Sequence, residues 1–122
     1  MRDGEWVRFV IRFEVLDAAR FREMAQQMVS VSREEPGTVV YDWYLDPDSA
    51  TGTLYEAYAS EAALQAHTSG RVFTEVASKF LDAMKVSSVD VYGEADGLPR
   101  RDVLGAPTRW WGAPIAAVTE PA

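Results

Sequence analysis

Residues 36–46 read PGTVVYDWYLD, and this stretch decides the fold of the chain. Its β-branched and aromatic residues are typical of a strand that begins directly after a Pro-Gly break. Residues 46–49, DPDS, have the composition of a type I turn, and residues 53–58 again have strand composition. We therefore predict a β-hairpin formed by residues 38–46 and 53–58.

The segment before the hairpin contains one predicted strand and one predicted helix. Apolar and polar side chains alternate over residues 5–15, and this period of two predicts a strand. Asp17 is a typical N-cap, and apolar residues, mostly Phe and Met, recur after it at helical spacing until the break at Pro36. We therefore predict a first helix between Asp17 and Pro36.

The segment after the hairpin repeats this pattern in reverse order. Ser60 caps a second predicted helix, whose apolar positions include the only histidine of the chain, His67. Gly70 is expected to interrupt this helix, and a helical pattern resumes over residues 72–84. Residues 86–93 have strand composition and form the last predicted strand.

The predicted order of elements is strand, helix, strand, strand, helix, strand. This order is the split β-α-β repeat of ferredoxin-like folds, and it predicts an α+β domain over residues 5–93 with an antiparallel sheet and both helices on one face. Residues 94–122 show no obvious strand or long helix. We expect them to form an irregular C-terminal extension that packs, through Trp110 and Trp111, on the body or on a partner subunit.

Both faces of the predicted hairpin carry apolar or aromatic side chains. Tyr41 and Trp43 belong to one face, and Val40 and Tyr44 belong to the other. In a monomer, the face of the sheet without helices would contact water, and its positions should be polar. We therefore predict a homodimer in which two sheets stack face to face.

Composition excludes several classes of function. The formal net charge of -7 and the isoelectric point of about 4.6 repel phosphate backbones and anionic lipid headgroups, so we expect neither nucleic acid nor a membrane as a partner. The absence of cysteine excludes disulfides, thiolate nucleophiles and iron–sulfur ligation. A single histidine excludes a two-histidine metal site within one chain, and we predict neither a metal nor a cofactor. The polar, acidic N-terminus does not resemble a secretory signal, so we expect a cytoplasmic protein.

Several short motifs, in their order along the chain, resemble the antibiotic biosynthesis monooxygenase family. They are EPGT at 35–38, YDWY at 41–44, YEAY at 55–58, ALQAH at 63–67 and VYG at 91–93. The resemblance implies a dimeric α+β barrel and oxygenase chemistry on quinols or anthrones, although similar domains include haem-degrading enzymes. Val72 stands where many quinol-oxygenase-like members have a second histidine, and residues 6–15 lack the asparagine of the haem-degrading branch.

His67 is the residue best suited to acid–base chemistry. It lies on the apolar side of the second helix, so its ring should point between helix and sheet, where an imidazole can act as a general base. The same position also suits a buried structural histidine whose ring nitrogen is bonded to a neighbour. Glu56 either orients His67 or forms an ion pair with Arg8 or Arg12.

We predict an aromatic substrate pocket beside His67, formed by Tyr41, Trp43, Tyr55, Glu56, Tyr58 and Phe73. The resemblance and this pocket favour a cofactor-independent monooxygenase. It would oxidise an electron-rich hydroquinone, phenol or anthrone to a quinone with dioxygen. Two alternatives stay open: a non-catalytic dimer that binds a small aromatic metabolite, and haem binding with His67 as the axial ligand.

Overall fold

The computed structural model describes residues 6–95 and 97–118. Its regular elements are β1 (Val7–Val15), α1 (Ala18–Ser32), β2 (Thr38–Leu45), β3 (Thr51–Tyr58), α2 (Glu61–Thr68), β4 (Met84–Tyr92) and β5 (Thr108–Gly112). Residue 5, where the predicted first strand and domain begin, lies outside the described residues, as do residues 96 and 119–122 of the predicted extension.

The strands form one sheet in the order β2-β3-β1-β4-β5. β1 pairs antiparallel with β3 and β4, β2 pairs antiparallel with β3, and β5 lies parallel to β4. Phe21 and Met28 of α1 and Leu64 of α2 share one core with the inward side chains of the sheet, so both helices cover the same face. The predicted ferredoxin-like α+β fold is therefore confirmed.

The predicted helix caps are also confirmed. The carboxylate of Asp17 accepts a hydrogen bond from the Arg20 backbone N–H at 3.1 Å, and α1 begins at the next residue. The hydroxyl of Ser60 accepts one from the Ala63 backbone N–H at 3.1 Å at the start of α2. Each cap satisfies a backbone N–H that has no partner within the first helical turn.

Alternation along the central strand builds the core. Val7, Phe9, Ile11 and Phe13 of β1 point toward the helices, and each is at most 5% exposed. Their burial removes apolar surface from water and fixes the register of β1, because a slip by one residue would turn all four outward. Among the described residues, no helix combines the length and the apolar character needed to cross a membrane.

The connection between α2 and β4 differs from the predicted continuous helix over residues 72–84. α2 ends at Thr68, two residues before Gly70, which agrees with the helix break predicted at Gly70. A π-helical turn (Val72–Val76) and a 3-10 turn (Ala77–Phe80) follow, and β4 begins at Met84. The prediction of a regular helix is wrong here, because apolar spacing alone does not separate an α-helix from shorter helical turns, and β-branched residues such as Val72 favour the α-helix less.

The C-terminal extension is not wholly irregular, which corrects a second prediction. Residues Thr108–Gly112 form β5, and Val91 of β4 pairs with Trp110. Because side chains alternate along a strand, Trp110 turns toward the core while Trp111 lies on the other face. A five-residue strand shows too few alternations to be recognised, and its parallel partner gives no hairpin signal in the sequence.

The face of the sheet that turns away from the helices, which we call the outer face, is rich in large side chains. Tyr44 and Trp111 are 57% and 52% exposed, and the rings of Tyr92 and Trp111 stack at 6.0 Å. Arg12 forms an ion pair with Asp90 at 2.7 Å, and this pair lies beside the indole N–H of Trp111. The outer face thus combines exposed aromatic surface with a few paired charges.

Candidate functional site

A cavity of about 670 Å³ lies between the inner face of the sheet and the layer of helices and turns. This volume is within the range of about 300–1,000 Å³ that is typical of small-molecule sites. Phe9, Ile11 and Phe13 of β1 form its floor, and Tyr41 and Trp43 of β2 form one wall. Almost all of the lining is apolar, so a ligand here leaves water.

His67 lies at this cavity and is 2% exposed. Its Nδ1 atom is 2.6 Å from Oε1 of Glu35. Nδ1–H can donate to this carboxylate, and in the neutral tautomer that does so the Nε2 atom keeps a free lone pair. The negative charge of Glu35 then stabilises the imidazolium that forms when Nε2 takes up a proton.

The chain brings Glu35 and His67 together through the corner that follows α1. The Thr38 backbone N–H donates to the carbonyl of Glu35 at 3.2 Å, and the Thr38 hydroxyl donates to the Glu35 carboxylate at 2.9 Å. Gly37 lies against Ala63 of α2, where any Cβ would overlap the Ala63 side chain. The glycine therefore lets α2 approach the corner closely enough for His67 to reach Glu35.

Three aromatic rings surround the imidazole. The ring centroids of Tyr41, Tyr58 and Phe73 are 5.0, 5.1 and 5.7 Å from that of His67. Phe73, on the π-helical turn, meets His67 edge to face. This packing holds the imidazole in one orientation, because rotation of its ring would collide with its neighbours.

A second titratable group, Glu56, faces the same cavity. Glu56 is 6% exposed, and the Tyr58 hydroxyl lies 2.5 Å from its Oε1. Burial raises the pKa of Glu56 to about 7, although the hydrogen bond from Tyr58 partly opposes that rise. Glu56 therefore exchanges its proton near neutral pH.

Tyr41 and Tyr58 remain protonated in this environment. Burial is the main cause that raises the pKa of each phenol, and the negative charge of Glu56 raises both further. Each hydroxyl is thus a neutral hydrogen-bond donor at physiological pH. The Tyr41 hydroxyl lies 3.7 Å from the sulfur of Met28, which belongs to the C-terminal half of α1.

One sequence profile matches residues 8–79, which is more than half of the chain, and that profile describes Antibiotic biosynthesis monooxygenase. The chain belongs to the antibiotic biosynthesis monooxygenase family. Its matched range contains Glu35, Glu56, His67 and Phe73. No curated protein sequence matches the chain significantly.

Several solved structures share the fold of this family member. SnoaB from Streptomyces nogalater, a cofactor-independent oxygenase, is 16% identical over 83% of this chain and 98% of its own, with a TM-score of 0.63. MupZ from Pseudomonas fluorescens is 17% identical over 75% and 69% of the two chains, with a TM-score of 0.65. Rv0793 from Mycobacterium tuberculosis is 25% identical over 83% and 100%, with a TM-score of 0.62.

The structure brings five of the seven predicted site residues to one cavity: His67, Tyr41, Trp43, Glu56 and Phe73. The carboxyl group of Glu56 is bonded to Tyr58, and Arg12, one of the partners proposed for it, pairs with Asp90 instead. Among the residues that the structure describes, no three His, Asp or Glu side chains are grouped so that they could hold a metal ion.

Two predicted pocket residues lie elsewhere. Tyr58 has no exposed surface and lies behind the cavity wall, where it supports Glu56 and His67 rather than lining the cavity. Tyr55 lies on the outer face with Trp6 and Arg8, because neighbouring residues on a strand point to opposite sides of the sheet. Placing Tyr55 in the same pocket as its neighbour Glu56 was therefore wrong.

Two parts of the site were not predicted as functional. Glu35 belongs to the EPGT motif, but a charged residue near the end of a helix is usually solvated. The sequence therefore did not indicate that Glu35 pairs with His67. Residues 98–104 line the far side of the cavity together with Trp110, apart from Arg100, which is not among the lining residues. These residues belong to the C-terminal extension, which the sequence composition predicted to be irregular.

Proposed function

We propose that the protein is a cofactor-independent monooxygenase that oxidises an electron-rich hydroquinone, phenol or anthrone to a quinone. The observation that carries the proposal is the pairing of His67 with Glu35 beside an apolar, aromatic-walled cavity. The pair supplies a base with one free nitrogen, and the cavity supplies a water-poor site for a flat substrate. Membership of the monooxygenase family supports the same reaction class.

The proposed reaction adds one atom of dioxygen to the substrate and releases the other as water. For an anthrone, one CH2 group and O2 give one C=O group and H2O. Nε2 of His67 removes a proton, and the resulting anion gives one electron to dioxygen. The substrate radical and superoxide then combine to form a peroxide anion.

The second half of the reaction returns the same proton. The His67 imidazolium protonates the peroxide, and the neutral imidazole then removes the remaining C–H proton while the O–O bond breaks. The departing hydroxide takes that proton and leaves as water. The substrate supplies all four electrons, so the balance needs no other reductant.

The other residues at the cavity position the substrate. Trp43 and Phe73 offer flat apolar surfaces against which an aromatic ring packs. A protonated Glu56 has an O–H that can donate a hydrogen bond to a substrate oxygen. These contacts hold the reacting carbon near His67, and such positioning lowers the entropic part of the barrier.

Oxygen consumption tests the proposed function. With the wild-type protein and a panel of hydroquinones, phenols and anthrones, we expect one O2 consumed per quinone formed, and labelled dioxygen should place one atom in the quinone. Quenching of tryptophan fluorescence without oxygen uptake would instead support the non-catalytic binding protein. A shifted Soret band with added haemin would support the haem alternative.

Glu35 is expected to act as a positioning residue. Glu35→Gln keeps a hydrogen-bond acceptor for Nδ1–H but removes the charge, and a bond to a charged group contributes about 1.5–3 kcal/mol. We therefore expect kcat to fall by about tenfold to 150-fold. KM should stay unchanged, because Glu35 is not among the residues that line the cavity. Steady-state kinetics measures both constants.

A matched control for this variant is the neighbouring Glu34, which is exposed and pairs with Arg71. Glu34→Gln should leave both constants unchanged. A fall in kcat of equal size in both variants would contradict the role of Glu35, as would a rise in KM with unchanged kcat.

We further propose a homodimer formed through the outer face. The exposed aromatic side chains Tyr44 and Trp111 support this proposal, because a second sheet would remove them from water. Size-exclusion chromatography with light scattering should give twice the chain mass of 13.6 kDa. A species of one chain mass would contradict it.

Val10→Glu places a charge at the centre of the outer face, beside Tyr55 and Asp90 on the neighbouring strands. An unpaired charge buried in an interface costs several kcal/mol, so we expect this variant to be mostly monomeric. Gln26→Glu on the exposed side of α1 is the control and should remain dimeric.

A further inference from the structure

The far side of the cavity is closed by residues 98–104, which we call the strap. Leu98, Pro99, Val103 and Leu104 of the strap line the cavity together with Trp110 of β5. The strap lies beyond residue 79, where the match to the family ends. This wall is therefore a feature of the chain that the family match does not cover.

Hydrogen bonds to β5 fix the strap in place. The Val103 backbone N–H donates to the Thr108 hydroxyl at 2.7 Å, and the Thr108 backbone N–H donates to the Asp102 carboxylate at 3.2 Å. The indole N–H of Trp110 donates to the carbonyl of Arg101 at 3.3 Å. The strap is thus a built wall and not a loose loop.

The strap ends in a tight turn with an unfavourable residue at its tip. Ala106 donates to the carbonyl of Val103 at 3.0 Å, and the two residues between them, Leu104 and Gly105, have φ values of 55° and 72°. Two positive φ values in succession are those of a type I′ turn, where Asn, Asp or Gly is favoured at the first position. A leucine is disfavoured there, because its Cβ crowds the backbone.

The position of the Leu104 side chain suggests why a leucine stands at this unfavourable backbone conformation. Leu104 is 52% exposed, yet it lines the cavity. A strained residue at a ligand site points to a function that the side chain performs. At the tip of the strap, a leucine can cover the apolar end of a bound molecule, which asparagine or glycine cannot do.

The strap is anchored at the edge of the sheet opposite β2. Tyr41 and Trp43 lie on β2 and Trp110 lies on β5, at opposite edges of the five-stranded sheet. The lining of the cavity extends from one edge to the other, because Trp43 and Trp110 both belong to it, as do His67 and Leu104. A fused multi-ring aromatic fills more of this length than a single ring does, so it is the class of ligand that can contact both His67 and Leu104.

We propose that Leu104 is a specificity-determining residue that closes the cavity over the apolar end of an extended aromatic substrate. This proposal takes the reaction from the proposed function. It adds which substrates the cavity selects. Extended molecules gain the contact with Leu104. Single-ring molecules bind near His67 and do not reach it.

Ligand binding in the absence of turnover tests this proposal. The probes are a dihydroxyanthraquinone and hydroquinone, the latter under argon, with quenching of tryptophan fluorescence as the signal. In Leu104→Asn we expect the Kd of the anthraquinone to rise about five- to tenfold, as the loss of one partly buried leucine contact implies. The Kd of hydroquinone should change less than twofold.

The substitution also controls for folding. Asparagine suits the left-handed position better than leucine, so Leu104→Asn should keep or raise the Tm, and weaker binding then cannot come from unfolding. Leu16→Asn is the matched control, because Leu16 is 57% exposed and does not line the cavity. It should change neither Kd.

Three results would overturn the proposal: no binding of the anthraquinone by the wild type, equal effects of Leu104→Asn on both probes, or the same effect from Leu16→Asn. The binding assay is independent of oxygen uptake. Selective weakening without oxygen uptake would reject the monooxygenase and retain the role of Leu104. Oxygen uptake with unchanged selectivity would do the reverse.

Discussion

His67→Ala is expected to lower kcat by about 100-fold to 10,000-fold on any substrate that the wild type oxidises, since that is the usual contribution of a single general base. The variant removes Nε2 of His67, the imidazole nitrogen that is not bonded to Glu35 and can accept a proton at the cavity. Oxygen-electrode traces at saturating substrate measure the effect. The expected change lies in kcat, because the aromatic walls that bind the substrate remain.

A second substitution separates chemistry from folding. His67→Asn keeps a side-chain N–H that can donate to Glu35 but has no basic nitrogen. We expect His67→Asn to keep its Tm close to that of the wild type and to be as inactive as His67→Ala. Full turnover in either variant would contradict the proposed role of His67.

Glu56→Gln is expected to abolish a pH-dependent loss of about 3 kcal/mol in the free energy of unfolding, because a pKa raised from 4.5 to about 7 corresponds to a loss of that size. Between these two pH values the unfolded chain has released the proton while the folded chain still holds it. The free energy of unfolding of the wild type therefore falls as pH rises from about 4.5 to about 7. Glutamine has no proton to lose and does not show this loss.

The measurement is the difference in free energy of unfolding between Glu56→Gln and the wild type, obtained from urea denaturation over a range of pH. The difference should favour the variant progressively from about pH 4.5 to about pH 7 and stay constant above that. Glu14→Gln, at an exposed position of β1, controls for the loss of one carboxylate. A flat profile for Glu56→Gln would mean that Glu56 is ionised in the folded protein.

The fold followed from the sequence because its signals are local. Alternation in β1, the caps at Asp17 and Ser60 and the turn after β2 each depend on a few neighbouring residues. The strand β5 was not predicted, because its only partner in the sheet is the parallel strand β4, and that pairing leaves no trace in a five-residue segment. The strap was not predicted to line the cavity, because the composition of residues 98–104 does not indicate their hydrogen bonds to β5.

The candidate site was predicted only in part. His67 and Trp43 could be assigned to the cavity because both belong to strongly apolar patterns. The partner of His67 could not, since Glu35 is 32 residues away in the sequence and meets it only through the close approach at Gly37. Tyr55 was misplaced because both sets of alternating positions in β3 carry aromatic residues, so composition did not indicate which side faces inward.

β5 also has a protective effect on the fold. A β4 without it would present nine residues of unpaired backbone at the edge of the sheet, and such an edge invites strand addition by other chains. β5 pairs with residues 89–92 of β4, so over that part the edge is a five-residue strand that carries Arg109. We therefore expect the segment that shapes the cavity also to reduce strand addition at this part of the edge.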